Sequence, residues 1–267
     1  MNKYYGVNIM KMNMMILVLS SSVALASVSG QTDEELSAIQ RAVAADATRA
    51  QGLPAPGDGI VLVHRNDIHW EAMFDDSREY ESYMEELAIE KASVARLGYV
   101  EENNELASRM LHFKEGYQFS SRNGTLKENE LRKKISNIRM AYIFKGVPSS
   151  VATEVLGYSE WLGQTKAGWP GIQEYFVNPE LGSCIYAENN LKYTCASIQL
   201  IEEEMTYGVN GKYTDFEIRG SRKSGFVYSV YWYDNRYFRQ LDCAWPKYSI
   251  HHIGKVTKAA DVIDRAL

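Results

Sequence analysis

The sequence predicts an α+β fold: N-terminal helices, an antiparallel β-meander of about five or six strands, and a short C-terminal helix. Three observations carry this. Apolar residues recur at helical spacing through the first half of the chain, and period-two runs separated by turn residues follow Pro179. The final stretch "VTKAADVIDRAL" returns to a helical period. Helices first and strands second is the segregated order of α+β proteins. The chain has 267 residues, 45% hydrophobic and 24% charged, so its composition is globular and long enough to bury a sizeable core.

The first element is an export signal. Lys3 and Lys11 precede an uncharged apolar run from Met14 to Ala26, and Ala24 with Ala26 forms an A-x-A site. This is the charge, apolar run and small-residue order of a signal peptide, with cleavage before Ser27, or secondarily after Gly30. The run falls short of the roughly 20 apolar residues that cross a membrane. No later segment is apolar enough to span one. The organisation expected is a signal peptide over 1–26, a mainly helical region over 27–148 and a mainly β region over 149–267, the last two packed as one domain. The protein is expected to be exported to the periplasm or beyond.

Removal of residues 1–26 takes away two lysines and no acid, so the net charge moves from −5 to −7. Basic clusters are short (Arg132, Lys133, Lys134; Arg219, Arg222, Lys223), which argues against nucleic acid as a partner.

The helices come next. Thr32 and Glu35 form a capping box ahead of Leu36, Ile39 and Val43. The run 60–64 reads as an isolated strand. From Asp76 to Gly98, Tyr80, Tyr83, Met84, Leu87, Val94 and Leu97 share one helical face. Glu79, Glu81, Glu85, Glu86 and Glu90 make the opposite face, read as solvated. A helix is expected around Leu106, Met110 and Leu111. A second capping box, Thr125 with Glu128, predicts another helix through Leu131, Ile135 and Ile138, stopped by Gly146 and Pro148.

The strands follow, with turn signals at Asn189-Asn190, Asn210-Gly211, 221–225 and 234–236. Three cysteines in an exported chain allow one disulfide. If Asn189-Asn190 is a two-residue hairpin loop, Cys184 and Cys195 face each other across it, at a distance a disulfide bridges. The expectation is a Cys184–Cys195 bond with Cys243 left as a small buried hydrophobe.

The stretch "FVYSVYWYDNRYFRQLDCAW" (226–245) holds eight aromatics in twenty positions. Loop parity decides how its halves share faces. An even loop puts Phe226, Tyr228, Val230 and Trp232 with Tyr237, Leu241, Cys243 and Trp245, apolar apart from Arg239. The other face holds Val227, Ser229, Tyr231 and Tyr233 with Phe238, Gln240 and Asp242. An odd loop mixes the classes, so the even register is expected. Tyr231, Tyr233 and Phe238 are then either covered by the helices or exposed for binding. Aromatic strand residues usually pack, which favours covered.

Catalytic signals are thin. "GYSEW" at 157–161 approaches the nucleophile elbow G-x-S-x-G, and Ser159 precedes Asp215, Asp234 or Asp242 and then His251 or His252 in triad order. Trp161 stands where that turn needs a small residue. His64, His69 and Asp67 offer metal ligands without the spacing of any known motif. Trp161 and Trp169 in "WLGQTKAGWPGIQEYF" lie on an aromatic loop, the setting in which tryptophan contacts glycans and proteins or pins a loop to the core. The reading is an exported non-catalytic protein, free of cofactors and metals, that binds a protein or glycan. Tyr231, Tyr233, Phe238, Trp161 and Trp169 are the candidate binding residues. The alternative is a secreted hydrolase using Ser159 or a histidine-lined metal site.

Overall fold

The computed structural model describes residues 15–18, 59–64, 66, 77–115, 118–121, 124–127, 132–194, 197–202 and 206–267. The chain divides into two compact units, residues 1–87 with 196–205 and residues 88–195 with 206–267. The helix expected after Thr32 and most of the signal segment lie outside the described residues.

The first unit contains a three-stranded sheet of β1 (Met15–Val18), β2 (Gly59–Val63) and β9 (Ser197–Ile201). β9 is central, antiparallel to β1 and parallel to β2. Its Ile198, Leu200 and Ile201 are buried.

The second unit is built on an eight-stranded sheet. Its path runs β10 (Thr206–Tyr207), β11 (Tyr213–Ser221), β12 (Gly225–Tyr233), β13 (Tyr237–Trp245), β8 (Gly182–Asn190), β7 (Gly171–Asn178), β6 (Glu154–Trp161). β3 (Val100–Glu101) adds parallel to β11. Two antiparallel meanders, β6-β7-β8 and β10-β11-β12-β13, thus join where β8 pairs with β13. The α+β class stands, with more strands in one sheet than the turn signals suggest.

Several expectations hold at residue level. The helix α1 spans Ser77–Leu97 and stops at Gly98, whose φ of +82° suits glycine. The next helix, α2 (Glu105–Leu111), is capped by Asn104, whose side chain accepts from the Ala107 N–H at 2.9 Å. α4 (Ile250–Ala266) buries His252, Val256, Ala259, Ala260 and Ile263, the spacing of one helical face. Phe226 pairs with Trp245 and Tyr233 with Phe238, which is the even register.

Three expectations about elements fail. The run 60–64 is not an isolated strand, because β2 pairs with β9. The disulfide joins Cys184 to Cys243, not Cys184 to Cys195. Asn189 and Asn190 do not turn: they are buried final residues of β8, and α3 (Leu191–Thr194) follows. β8 therefore pairs with β13, and in that register Cys184 lies opposite Cys243. Cys195 lies outside the described residues. Among the described residues the helix expected from Thr125 does not form either: Gly124–Lys127 is β5, paired with β4 (Gln118–Ser121). Beyond it, Lys133 bridges Tyr158, and a 3-10 turn stands at Ile135–Asn137. A capping box offers hydrogen bonds to a helix but does not create the apolar face that holds one down.

The large sheet has two distinct faces. On the first, Tyr228, Val230, Trp232, Tyr186, Phe176, Leu241 and the disulfide pack with Val256, Ala260 and Ile263 of α4. On the second, Val227, Ile185 and Ala244 pack with Ala107 and Met110 of α2 and with Phe113.

Candidate functional site

The second face carries the aromatic candidates in one line. Strand register places Tyr207, Tyr213, Tyr233, Phe238, Asn189, Gly171 and Trp161 on successive strands from β10 to β6. Rings contact along it: Tyr207–Tyr213 at 5.1 Å, Tyr233–Phe238 at 5.4 Å and stacked, Trp161–Phe238 at 5.5 Å. Gly171, between the last pair, has no side chain to separate them. A Cβ there would sit 2.8 Å from the Trp161 carbonyl oxygen. Cross-strand aromatic contacts stabilise by roughly 0.2–1 kcal/mol each, so the line is first a structural brace.

Its centre is covered. Tyr231, Tyr233 and Phe238 are all buried. Its ends are not: Tyr207 is 70% exposed, and Tyr213 and Trp161 are half-buried. The five candidates therefore separate. Trp161 joins the line, Tyr231 stacks beside it on Phe238 at 6.4 Å, and Trp169 lies in the loop before β7, its backbone bridged to Met140.

Polar rows run parallel to the aromatic one. Register aligns Asp215, Tyr231, Gln240, Ala187, Gln173 and Ser159, and beside them Glu217, Ser229, Asp242, Ile185 and Tyr175. At the β6 end, Ser159 Oγ and the Tyr175 hydroxyl both donate to Gln173 Oε1, at 3.3 and 3.0 Å. At the β11 end, Arg219 donates to Glu217 at 2.6 Å and to both oxygens of Glu90 at 2.9 and 3.1 Å. It also reaches Glu102 at 3.3 Å. Glu90, read from sequence as part of a solvated helix face, is held by this guanidinium instead.

The first face explains the one misfit in its apolar pattern. Arg239 is buried, but it donates to Glu188 at 3.0 Å and to Asp234 at 2.7 Å. Asp264 of α4 accepts from Lys212 at 2.6 Å and from the Trp232 indole at 3.0 Å. Burial works against ionisation of Asp234, but the Arg239 charge and hydrogen bond, with help from Lys212, outweigh it and hold the carboxyl at about 2. The network anchors α4 over the sheet.

The catalytic candidates are not brought together. Ser159 sits mid-strand on the second face, whereas an elbow requires a strand-to-helix turn. Gly157 marks a β-bulge, where a Cβ would meet Arg132 at 2.8 Å. His252 is on the first face, against Tyr228 and Trp245 at 4.6 and 4.7 Å. His251 is exposed on α4. His64 lies 3.6 Å from Glu202 in the first unit, and His69 and Asp67 lie outside the described residues. Among the described residues, no group of three His, Cys, Asp or Glu side chains is placed to hold a metal. No helix among them is long and apolar enough to cross a membrane.

The Asp215, Glu217 and Arg219 cluster was missed, although "DFEIR" alternates polar and apolar residues and so puts all three on one face. Comparison with protein-family models, with curated proteins and with solved structures finds no match to the chain.

Proposed function

We propose that this is an exported, disulfide-containing, non-catalytic protein that binds a macromolecular partner, an envelope protein or a glycan, at the exposed ends of the aromatic row. The observation that carries the reading is the exposure of Tyr207 at 70% beside Tyr213. A flat apolar ring with a polar edge, presented at a sheet margin, suits both protein and sugar surfaces. The Cys184–Cys243 disulfide is compatible with an oxidising compartment. Cleavage before Ser27 would remove β1, leaving β9 paired with β2.

The test is capture of partners by the mature protein, with glycan arrays and envelope extracts as two separate arms. Tyr207→Ala and Trp161→Ala should each weaken capture while changing stability little at Tyr207. N-terminal sequencing of the native protein should begin at Ser27. Turnover on a hydrolase panel that disappears in Ser159→Ala would overturn the non-catalytic reading.

A further inference from the structure

The row Glu217–Ser229–Asp242 places two carboxyls two strands apart on the covered face, with a serine between them. Strand spacing puts their backbones roughly 10 Å apart. Asp242 is 4% exposed and the Glu217 side chain 11%. Each keeps one oxygen inside the fold without a hydrogen-bond partner, Asp242 Oδ1 and Glu217 Oε2. The other oxygens are served: Gln240 donates to Asp242 Oδ2 at 2.7 Å, and Arg219 to Glu217 Oε1 at 2.6 Å.

Among the described residues, charge around the row is mostly acidic, and Arg132 lies further along it over the Tyr175 ring at 5.1 Å. Arg219 of β11 is shared by Glu217, by Glu90 of α1 and by Glu102 after β3. Asp215 of β11 adds a further carboxyl, and β12 contributes the buried phenols Tyr231 and Tyr233. α2 brings the apolar Leu106, Ala107, Met110 and Leu111 to the adjoining cluster. Arg219, shared among three carboxylates, cannot neutralise them all, and a buried carboxylate with an empty lone pair is costly. A carboxylic acid removes the charge and turns one oxygen into a donor.

We propose that the Glu217–Ser229–Asp242 row is a proton-operated lock on the second face of the sheet, closed while its carboxyls are protonated and loosened when they ionise. Burial pushes Asp242 up to about 6 against the opposing bonds from Gln240 and Ser229. It pushes Glu217 up to about 7 despite the Arg219 charge and hydrogen bond. A carboxyl raised in the folded state lends stability that is full below its unfolded value, and that stability is lost as pH rises through the folded value. The window is therefore about 4 to 6 for Asp242 and about 4.5 to 7 for Glu217. Within it the unfolding constant should rise by up to about tenfold per pH unit for each group.

The experiment is denaturant unfolding from pH 4.5 to 8 of the disulfide-intact protein, Asp242→Asn and Glu217→Gln. His252 and Glu174 titrate in every variant alike and cancel when the profiles are subtracted. The lock requires a flatter profile in Asp242→Asn below pH 6 and in Glu217→Gln up to pH 7. Profiles parallel to wild type in both variants overturn it. Carboxyl-carbon NMR titration of the wild type gives a readout even where a variant does not fold. Midpoints near 6 and 7 support the lock, and ordinary midpoints near 4 for both groups overturn it.

Discussion

Replacing both Cys184 and Cys243 by alanine tests the sheet's central seam. The two residues close a separation of 59 positions and lie opposite each other on β8 and β13, where the two meanders meet. On the loop-entropy estimate, a closed loop of that size stabilises by roughly 4 kcal/mol, against about 3 for the 11-residue separation of a Cys184–Cys195 bond. Both sulfurs are fully buried, so alanine also removes core contacts. Urea melts of wild type, wild type with dithiothreitol, and the double variant should show midpoints falling together in the latter two, with the slope rising if the unfolded chain expands. Non-reducing peptide mapping should recover Cys184 linked to Cys243. A double variant within about 1 kcal/mol of the oxidised protein, or a Cys184–Cys195 peptide, would refute the seam.

The remaining predictions concern the two faces. Trp232→Ala should cost about 3–5 kcal/mol by denaturant melt, because it empties the first-face core and leaves Asp264 without the indole donor. Tyr231→Ala and Phe238→Ala should each cost more than about 1 kcal/mol, since both are covered; near-neutral melts would show that face to be open. Arg239→Met should destabilise by about 3–5 kcal/mol, as Glu188 would lose its buried cation; a neutral melt would refute the pairing. Glu174, which burial pushes up to about 7 against the Val147 N–H and Tyr158, should draw the native state down as pH rises from about 4.5 to 7. Glu174→Gln, which keeps the acceptor for Val147, should remove that slope.

Local pattern was legible where one face of one element decides the outcome. The helical period of 256–267 marked the greater part of α4, and the parity of 226–245 specified both faces of the β12–β13 hairpin, because a slipped register would have mixed apolar and polar residues on both. Asn189-Asn190 misled for a physical reason. Asparagine marks turns because it tolerates positive φ, yet its amide also tolerates a strand end, and here both residues are buried beside Phe238 and Tyr237 on β13. Once that turn is lost, so is the Cys184–Cys195 register, and the true partner of Cys184 is set by a strand more than fifty residues away. Non-local pairing of this kind leaves no local trace.

The same non-locality explains why the acidic candidates were seen but not their environment. By chain order alone, Asp242 and Asp215 fit as triad members. In the sheet they stand on one face with Glu217, Ser229 and Gln240, far from any histidine contact shown by His252, which packs on the opposite face against Tyr228 and Trp245. What matters chemically is which strand lies next to which. β11, β12 and β13 are consecutive, so their alternation could be aligned from the turns at 221–225 and 234–236 alone. Glu90 and Glu102 could not, since Arg219 recruits them from α1 and from the segment after β3. The burial that shifts these carboxyls therefore belongs to the assembled face: Glu217 on an isolated hairpin would be an ordinary exposed acid, and it becomes proton-sensitive only where packing has removed its water.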